Sequence, residues 1–131
     1  MRNLGALLGT GLLFVFALGA ADPTGIWTGQ VSGKNGEKQD IAFQFQTVRG
    51  ATTGVMFGDE FDLPVQDVKI EAGRITFSVT NINYSDQRRL KTVYSGVLAD
   101  QTMELTREQV GAEPGSKPKE PPTVVLLKRL L

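Results

Sequence analysis

The sequence predicts an all-β protein, an eight-stranded antiparallel up-and-down barrel spanning residues 22–131. Three observations predict it. Apolar and polar residues alternate with period two in one segment after another, the pattern of strands with one buried and one solvated face. Turn-forming residues separate these segments at short intervals, which joins sequence neighbours into hairpins. No stretch after residue 21 repeats apolar residues at helical spacing over two turns. Without a helix to cover it, the apolar face of a long meander is hidden, and its edges removed, when the sheet closes on itself. A two-sheet β-sandwich is the alternative.

The chain has 131 residues, the size of one domain, with 14 basic and 14 acidic residues. A neutral chain lacks the basic excess that phosphate contacts require, so nucleic acid is not an expected partner. Histidine and cysteine are absent. Thiol catalysis, disulfides, Ser-His-Asp chemistry and His- or Cys-ligated metals are therefore excluded.

The N-terminus reads Met1-Arg2-Asn3, followed by an uncharged run from Leu4 to Leu18 and then Gly19, Ala20 and Ala21. One basic residue, a short apolar run and a small-residue end are the pattern of a secretory signal peptide. The run is shorter than the roughly 20 residues a spanning helix needs. The expected division is a signal peptide over 1–21, cleaved after Ala21, and a single barrel domain over 22–131. The expected location is secreted or periplasmic, with no stable membrane insertion after cleavage. Loss of Arg2 leaves that domain with one more acidic than basic residue.

The first strand is expected over Ile26 to Ser32, with Trp27, Gly29 and Val31 on one face. Gly33-Lys34-Asn35-Gly36 follows, and Asn-Gly is a strong hairpin signal. Gln39 to Val48 alternates cleanly, with Ile41, Phe43 and Phe45 inward. After Arg49-Gly50, Thr52 to Gly58 is read with Val55 and Phe57 inward. Asp59 to Asp62 is an acidic loop. In Leu63 to Ile70 the apolar parity slips between Val65 and Val68, which is the mark of a β-bulge. Pro64 suits such a position because it donates no hydrogen bond to a ladder.

Glu71-Ala72-Gly73-Arg74 turns the chain. Ile75, Phe77 and Val79 then face inward, before a polar, loop-like stretch from Asn81 to Asp86. The sixth strand runs from Arg88 to Leu98, with Leu90, Tyr94, Gly96 and Leu98 inward. Met103, Leu105 and Arg107 share a face of the seventh. Glu108 to Pro122 reads as an open, proline-rich loop, and Val125, Leu127 and Arg129 as the inward parity of the last strand. An outer-membrane barrel would need an apolar outer band. The outward parity here carries Gln44, Gln46, Thr76, Ser78, Thr80, Thr102, Glu104 and Thr106.

The run Gly25-Ile26-Trp27-Thr28-Gly29 resembles the Gly-x-Trp opening of the lipocalin and avidin-like barrels, the calycin group. The resemblance implies that Trp27 closes one end of the barrel with an arginine from a late strand packed across it. Arg129 is the first match for that role and Arg107 the second. The chain also resembles a group of small secreted bacterial domains of unassigned function. The matching residues are Gly25, Trp27, Gly29 and Val31; Asp62, Leu63 and Pro64; Tyr94 and Gly96; Leu105, Thr106 and Arg107; and Leu127, Lys128 and Arg129. No biotin-site residue of the avidins maps onto this sequence.

Trp27, Phe43, Phe45, Phe57, Phe77 and Tyr94 share the inward parity. They are read either as a filled core or as the lining of a site for a small hydrophobic or sugar-like molecule. Asp59, Glu60 and Asp62 match neither an EF-hand spacing nor a defined carboxylate pair. Arg88, Arg89 and Lys91 read as a charged outer face. Asn83-Tyr84-Ser85 fits a glycosylation acceptor pattern. No catalytic residue, metal ligand or cofactor is expected. The leading functional expectation is an exported, non-enzymatic barrel that binds a small apolar or ring-containing ligand at its mouth. The alternatives are an envelope interaction domain with a fully packed core and, remotely, a hydrolase working through carboxylates alone.

Overall fold

The computed structural model describes residues 22–32, 36–58, 61–83, 88–111 and 121–130. Eight strands occur among them: β1 (Gly25–Ser32), β2 (Lys38–Val48), β3 (Ala51–Met56), β4 (Leu63–Glu71), β5 (Arg74–Asn83), β6 (Arg88–Leu98), β7 (Thr102–Gly111) and β8 (Thr123–Arg129). Each pairs antiparallel with the next, and β8 pairs back onto β1, which makes one closed barrel. The single ring of strands displaces the sandwich alternative. Among the described residues no helix is long and apolar enough to cross a membrane. The expected signal peptide, Asp59, Glu60, Tyr84, Ser85 and most of the proline-rich connection lie outside the described residues.

Two hairpins turn through pairs of residues with positive φ. Arg49 and Gly50 have φ of 54° and 81°, and Ala72 and Gly73 have 50° and 79°. Two such residues in succession give the turn whose twist matches that of the flanking strands. The first turn also corrects the reading of β3. Val48 pairs with Ala51, so the inward residues of β3 are Gly54, opposite Phe45, and Met56, opposite Phe43. Directly paired residues point to the same face, and a one-residue shift exchanges the faces. Val55 therefore points outward. Phe57 lies beyond the strand end and is 37% exposed, not inward.

The β-bulge falls where the apolar parity slips. Gln66 pairs with Ser78 and Lys69 with Thr76, so Asp67 and Val68 together oppose Phe77. Asp67 has φ of 56°, which an Asp tolerates better than most residues. Past the bulge, Val68 and Ile70 join Leu63 and Val65 against the core. Two strands exceed their expected length. β5 continues through Asn81 to Asn83, paired with Leu90 to Arg88. β7 continues to Gly111, because Glu108 to Gly111 pair with Val93 to Leu90. Their polar composition suggested loop, and the long partner β6 makes them strand.

The interior is filled by Trp27, Ile41, Phe43, Phe45, Ile75, Phe77, Val79, Tyr94, Leu98, Met103, Leu105, Val125 and Leu127, all buried. At about 25 cal/mol per Å² of apolar surface removed from water, each large side chain of this set contributes roughly 1.5–3 kcal/mol.

Candidate functional site

The two ends of the barrel differ. At one end, β1 enters, β8 leaves, and the short turns after β2, β4 and β6 close the floor. Trp27 is fully buried there. Its indole Nε1 donates to the Pro23 carbonyl at 2.7 Å. Arg129 lies across the ring, its guanidinium carbon 4.4 Å from the centroid. Its Nε donates to the Asp100 carbonyl at 2.8 Å, one Nη to the Asp22 carbonyl at 2.8 Å and the other Nη to the Thr24 carbonyl. Arg129 rather than Arg107 therefore occupies the closing position that the sequence resemblance implied.

The Asp22 carboxylate caps this corner. Oδ1 accepts from the Thr24 backbone N–H at 2.9 Å, the Thr24 hydroxyl at 2.7 Å and the Thr47 hydroxyl at 3.1 Å. The bond from the Thr24 hydroxyl, followed by that from its N–H, holds the Asp22 pKa below its ordinary value. The Thr47 hydroxyl and the charge of Arg129 add to the effect.

Phe43, Phe45, Phe77 and Tyr94 form one aromatic cluster in the middle of the barrel. Phe43 meets Phe77 and Tyr94 edge-on at 5.3 Å between centroids, and Phe45 meets Phe77 edge-on at 5.2 Å. Phe77 and Tyr94 stack at 4.9 Å. Such arrangements suit the ring quadrupoles and lock the interior. Of the six aromatics read as facing inward, four meet here. Trp27 belongs to the closed end, and Phe57 stands outside.

The opposite end holds a cavity of about 110 Å³. Met56, Leu63, Val79 and Leu90 supply its apolar walls, and Asn81, Thr92, Tyr94, Arg107 and Gln109 its polar groups. Tyr94 is the one member of the aromatic cluster that reaches it. Tyr94 and Arg107 are directly opposed across β6 and β7. The Arg107 Nε donates to the Tyr94 hydroxyl at 3.4 Å. Burial pushes the Tyr94 pKa above its ordinary value, while the Arg107 hydrogen bond and charge pull the other way. The phenol therefore stays protonated at neutral pH.

Protein-family models, curated proteins and solved structures offer no match to this chain. The chemistry of the mouth is thus read from its own residues.

Parity places Arg107 inward, as the sequence suggests, but it stands at the mouth and not beside Trp27 at the closed end. Sequence reasoning passed over Asn81, Thr92 and Gln109. The available signal was parity: Thr92 alternates with Tyr94, and Gln109 with Arg107, so polar side chains on the inward face of β6 and β7 marked a wet end. Among the described residues, the Asp62 carboxylate accepts one hydrogen bond, from the Gly58 N–H at 3.4 Å. A second, shallower hollow of about 680 Å³ lies on the outer surface where β8 meets β1 and β2. Val124, Leu126 and Leu130 are exposed along that side of β8.

Proposed function

We propose that the protein is an exported, non-enzymatic calycin-like barrel, its functional domain being residues 22–131, that holds a small apolar or ring-containing molecule at the barrel mouth. The observation that carries this reading is the cavity between Met56, Leu63, Val79 and Leu90, with polar groups concentrated on β6 and β7. Binding sites combine apolar walls with a few placed polar groups in this way. The filled aromatic core leaves the mouth as the place for a ligand. Export is supported by the charged start, apolar run and small residues of 1–21. The Gly25-Ile26-Trp27-Thr28-Gly29 opening, with Arg129 across Trp27, supports the calycin likeness.

The test is amide-resolved NMR with a panel of small aromatic, aliphatic and sugar ligands. Shifts gathered on Met56, Leu63, Leu90, Thr92 and Gln109 are expected for at least one class. Shifts scattered over the surface, or none, defeat the reading. Trp27 fluorescence is a poor reporter, because its ring is sealed at the other end.

A second reading, an envelope interaction domain, is favoured by the exposed apolar residues of β8, where Val124 is 69% exposed. A photo-crosslinker at position 124 in the producing cell then gives one discrete adduct. A smear or monomer alone excludes it.

A further inference from the structure

We propose that the mouth cavity takes the carboxylate end of a small organic acid, with the Arg107 guanidinium as its anchor. This rests on the mouth-binding reading above and names the ligand class.

The donor set points to an anion. The described lining of the cavity contains one cation, Arg107, and no carboxylate. Tyr94, Thr92, Asn81 and Gln109 add hydroxyl and amide donors around it. Arg107 is half-buried, and a cation drawn toward apolar walls needs a counter-charge to offset lost hydration. Its Nε is turned to the Tyr94 hydroxyl, which orients the guanidinium plane. That contact leaves the two Nη groups without a hydrogen-bond acceptor among the described residues. A planar fork of N–H groups matches a carboxylate in two parallel hydrogen bonds. The Tyr94 oxygen accepts from Arg107, so its own proton remains free to donate.

The walls and size define the rest of the molecule. Met56, Leu63, Val79 and Leu90 suit an apolar body and offer nothing to a hydrated inorganic ion. The volume of about 110 Å³ seats an apolar body of a few carbons next to the carboxylate.

The experiment is an NMR titration of the full chain at pH 7 with butyrate, its neutral counterpart butyramide, and inorganic phosphate. Butyrate is expected to bind about ten times more tightly than butyramide, which corresponds to about 1.4 kcal/mol. Phosphate is expected to leave the mouth resonances unmoved. In Arg107→Gln the butyrate preference is expected to collapse to within about twofold. Should that variant fail to fold, the wild-type preference decides alone. Equal binding of acid and amide overturns the Arg107 anchor and leaves the mouth reading standing. Phosphate binding as well as butyrate overturns the organic-acid assignment. If neither these probes nor the neutral panel moves the mouth resonances, the anchor and the mouth reading fall together.

Discussion

Arg129 covers Trp27 with its guanidinium carbon 4.4 Å from the ring centroid, while its N–H groups bond three backbone carbonyls, those of Asp22, Thr24 and Asp100. One side chain thus ties the first strand, the segment before it, the β6–β7 turn and the last strand together. A cation over an indole contributes about 0.5–2 kcal/mol, and the loss of charged donors to the carbonyls adds to this. Arg129→Ala is expected to lower stability by about 1–3 kcal/mol in urea denaturation followed by Trp27 fluorescence. Arg129→Lys is expected to recover only part, since an ammonium cannot reproduce the planar fork. A loss within measurement error would show that the clasp carries no weight.

Two glycines on the inner wall separate by what surrounds them. A Cβ on Gly54 would meet the Phe45 ring at 2.8 Å and the Gln44 carbonyl oxygen at 2.9 Å. A Cβ on Gly96 would land on the Glu104 carbonyl oxygen, which is backbone and cannot rotate away. Gly54→Ala is expected to cost about 1–3 kcal/mol, and Gly96→Ala more than that. Thermal unfolding of the two variants side by side checks the order, and the reverse order would refute the argument.

Ala72 holds a φ of 50° in the β4–β5 turn, where a side chain larger than hydrogen is strained. Asparagine tolerates this conformation and is favoured at the first position of such a turn. Ala72→Asn is expected to raise stability by about 0.5–1 kcal/mol. An unchanged or lower denaturation midpoint would show that the turn is set by its flanking strands alone.

Tyr94 gives the barrel an alkaline limit. Its folded-state pKa is raised above its ordinary value of 10.0, mainly by burial. Folding thus favours the neutral phenol. The stabilisation is complete below pH 10.0 and is lost as pH rises from there through the folded value. In a Tyr84→Phe background, with Tyr94 the only tyrosine, absorbance titration is expected to show ionisation above pH 10.0. Tyr94→Phe is expected to flatten the fall in stability over the same range. Ordinary titration of the phenol would contradict its burial.

Asp22 acts in the opposite direction at the acid end. Its folded pKa lies below 3.8, chiefly through the Thr24 hydroxyl. Its contribution is present above pH 3.8 and disappears as pH falls through the folded value. Asp22→Asn is expected to have a shallower acid limb than the wild type in urea midpoints measured from pH 5 to pH 2. Identical limbs would assign the acid response to other carboxylates.

The barrel was legible because β2 and β5 carry bulky residues at alternate positions: Ile41, Phe43 and Phe45, then Ile75, Phe77 and Val79. The bulge was legible because a break in parity has a single geometric cause. β3 was misread because Gly54 carries no side chain to mark the inner face, so Val55 and Phe57 took its place in the pattern. Only the two-residue turn at Arg49-Gly50 fixes the phase there. The Trp27–Arg129 pair was reached through resemblance at the chain's two ends, with the inward parity of Arg129 on the last strand selecting it. The mouth was the least visible part. It is assembled from five strands, and its polar members sit inside a face that alternation marks by apolar residues.

Closure of the barrel depends on the join between the two ends of the chain. Seven interfaces link consecutive strands, and among the described residues β1 and β8 share two register pairs, Trp27 with Arg129 and Thr28 with Lys128, extended by the Leu130 N–H donating to the Ile26 carbonyl. Gly29 allows this approach, since a Cβ there would sit 2.5 Å from the Leu126 carbonyl oxygen. The Arg129–Thr24 bond spans 105 positions of chain, so its loop entropy is recovered only after the hairpins have zipped. The consequence is topological: this seam joins the two ends of the chain, and its pairing alone removes both edges of the sheet. Without that pairing β1 and β8 would each offer a bare edge to a neighbouring molecule, the kind of edge at which strands are exchanged between copies.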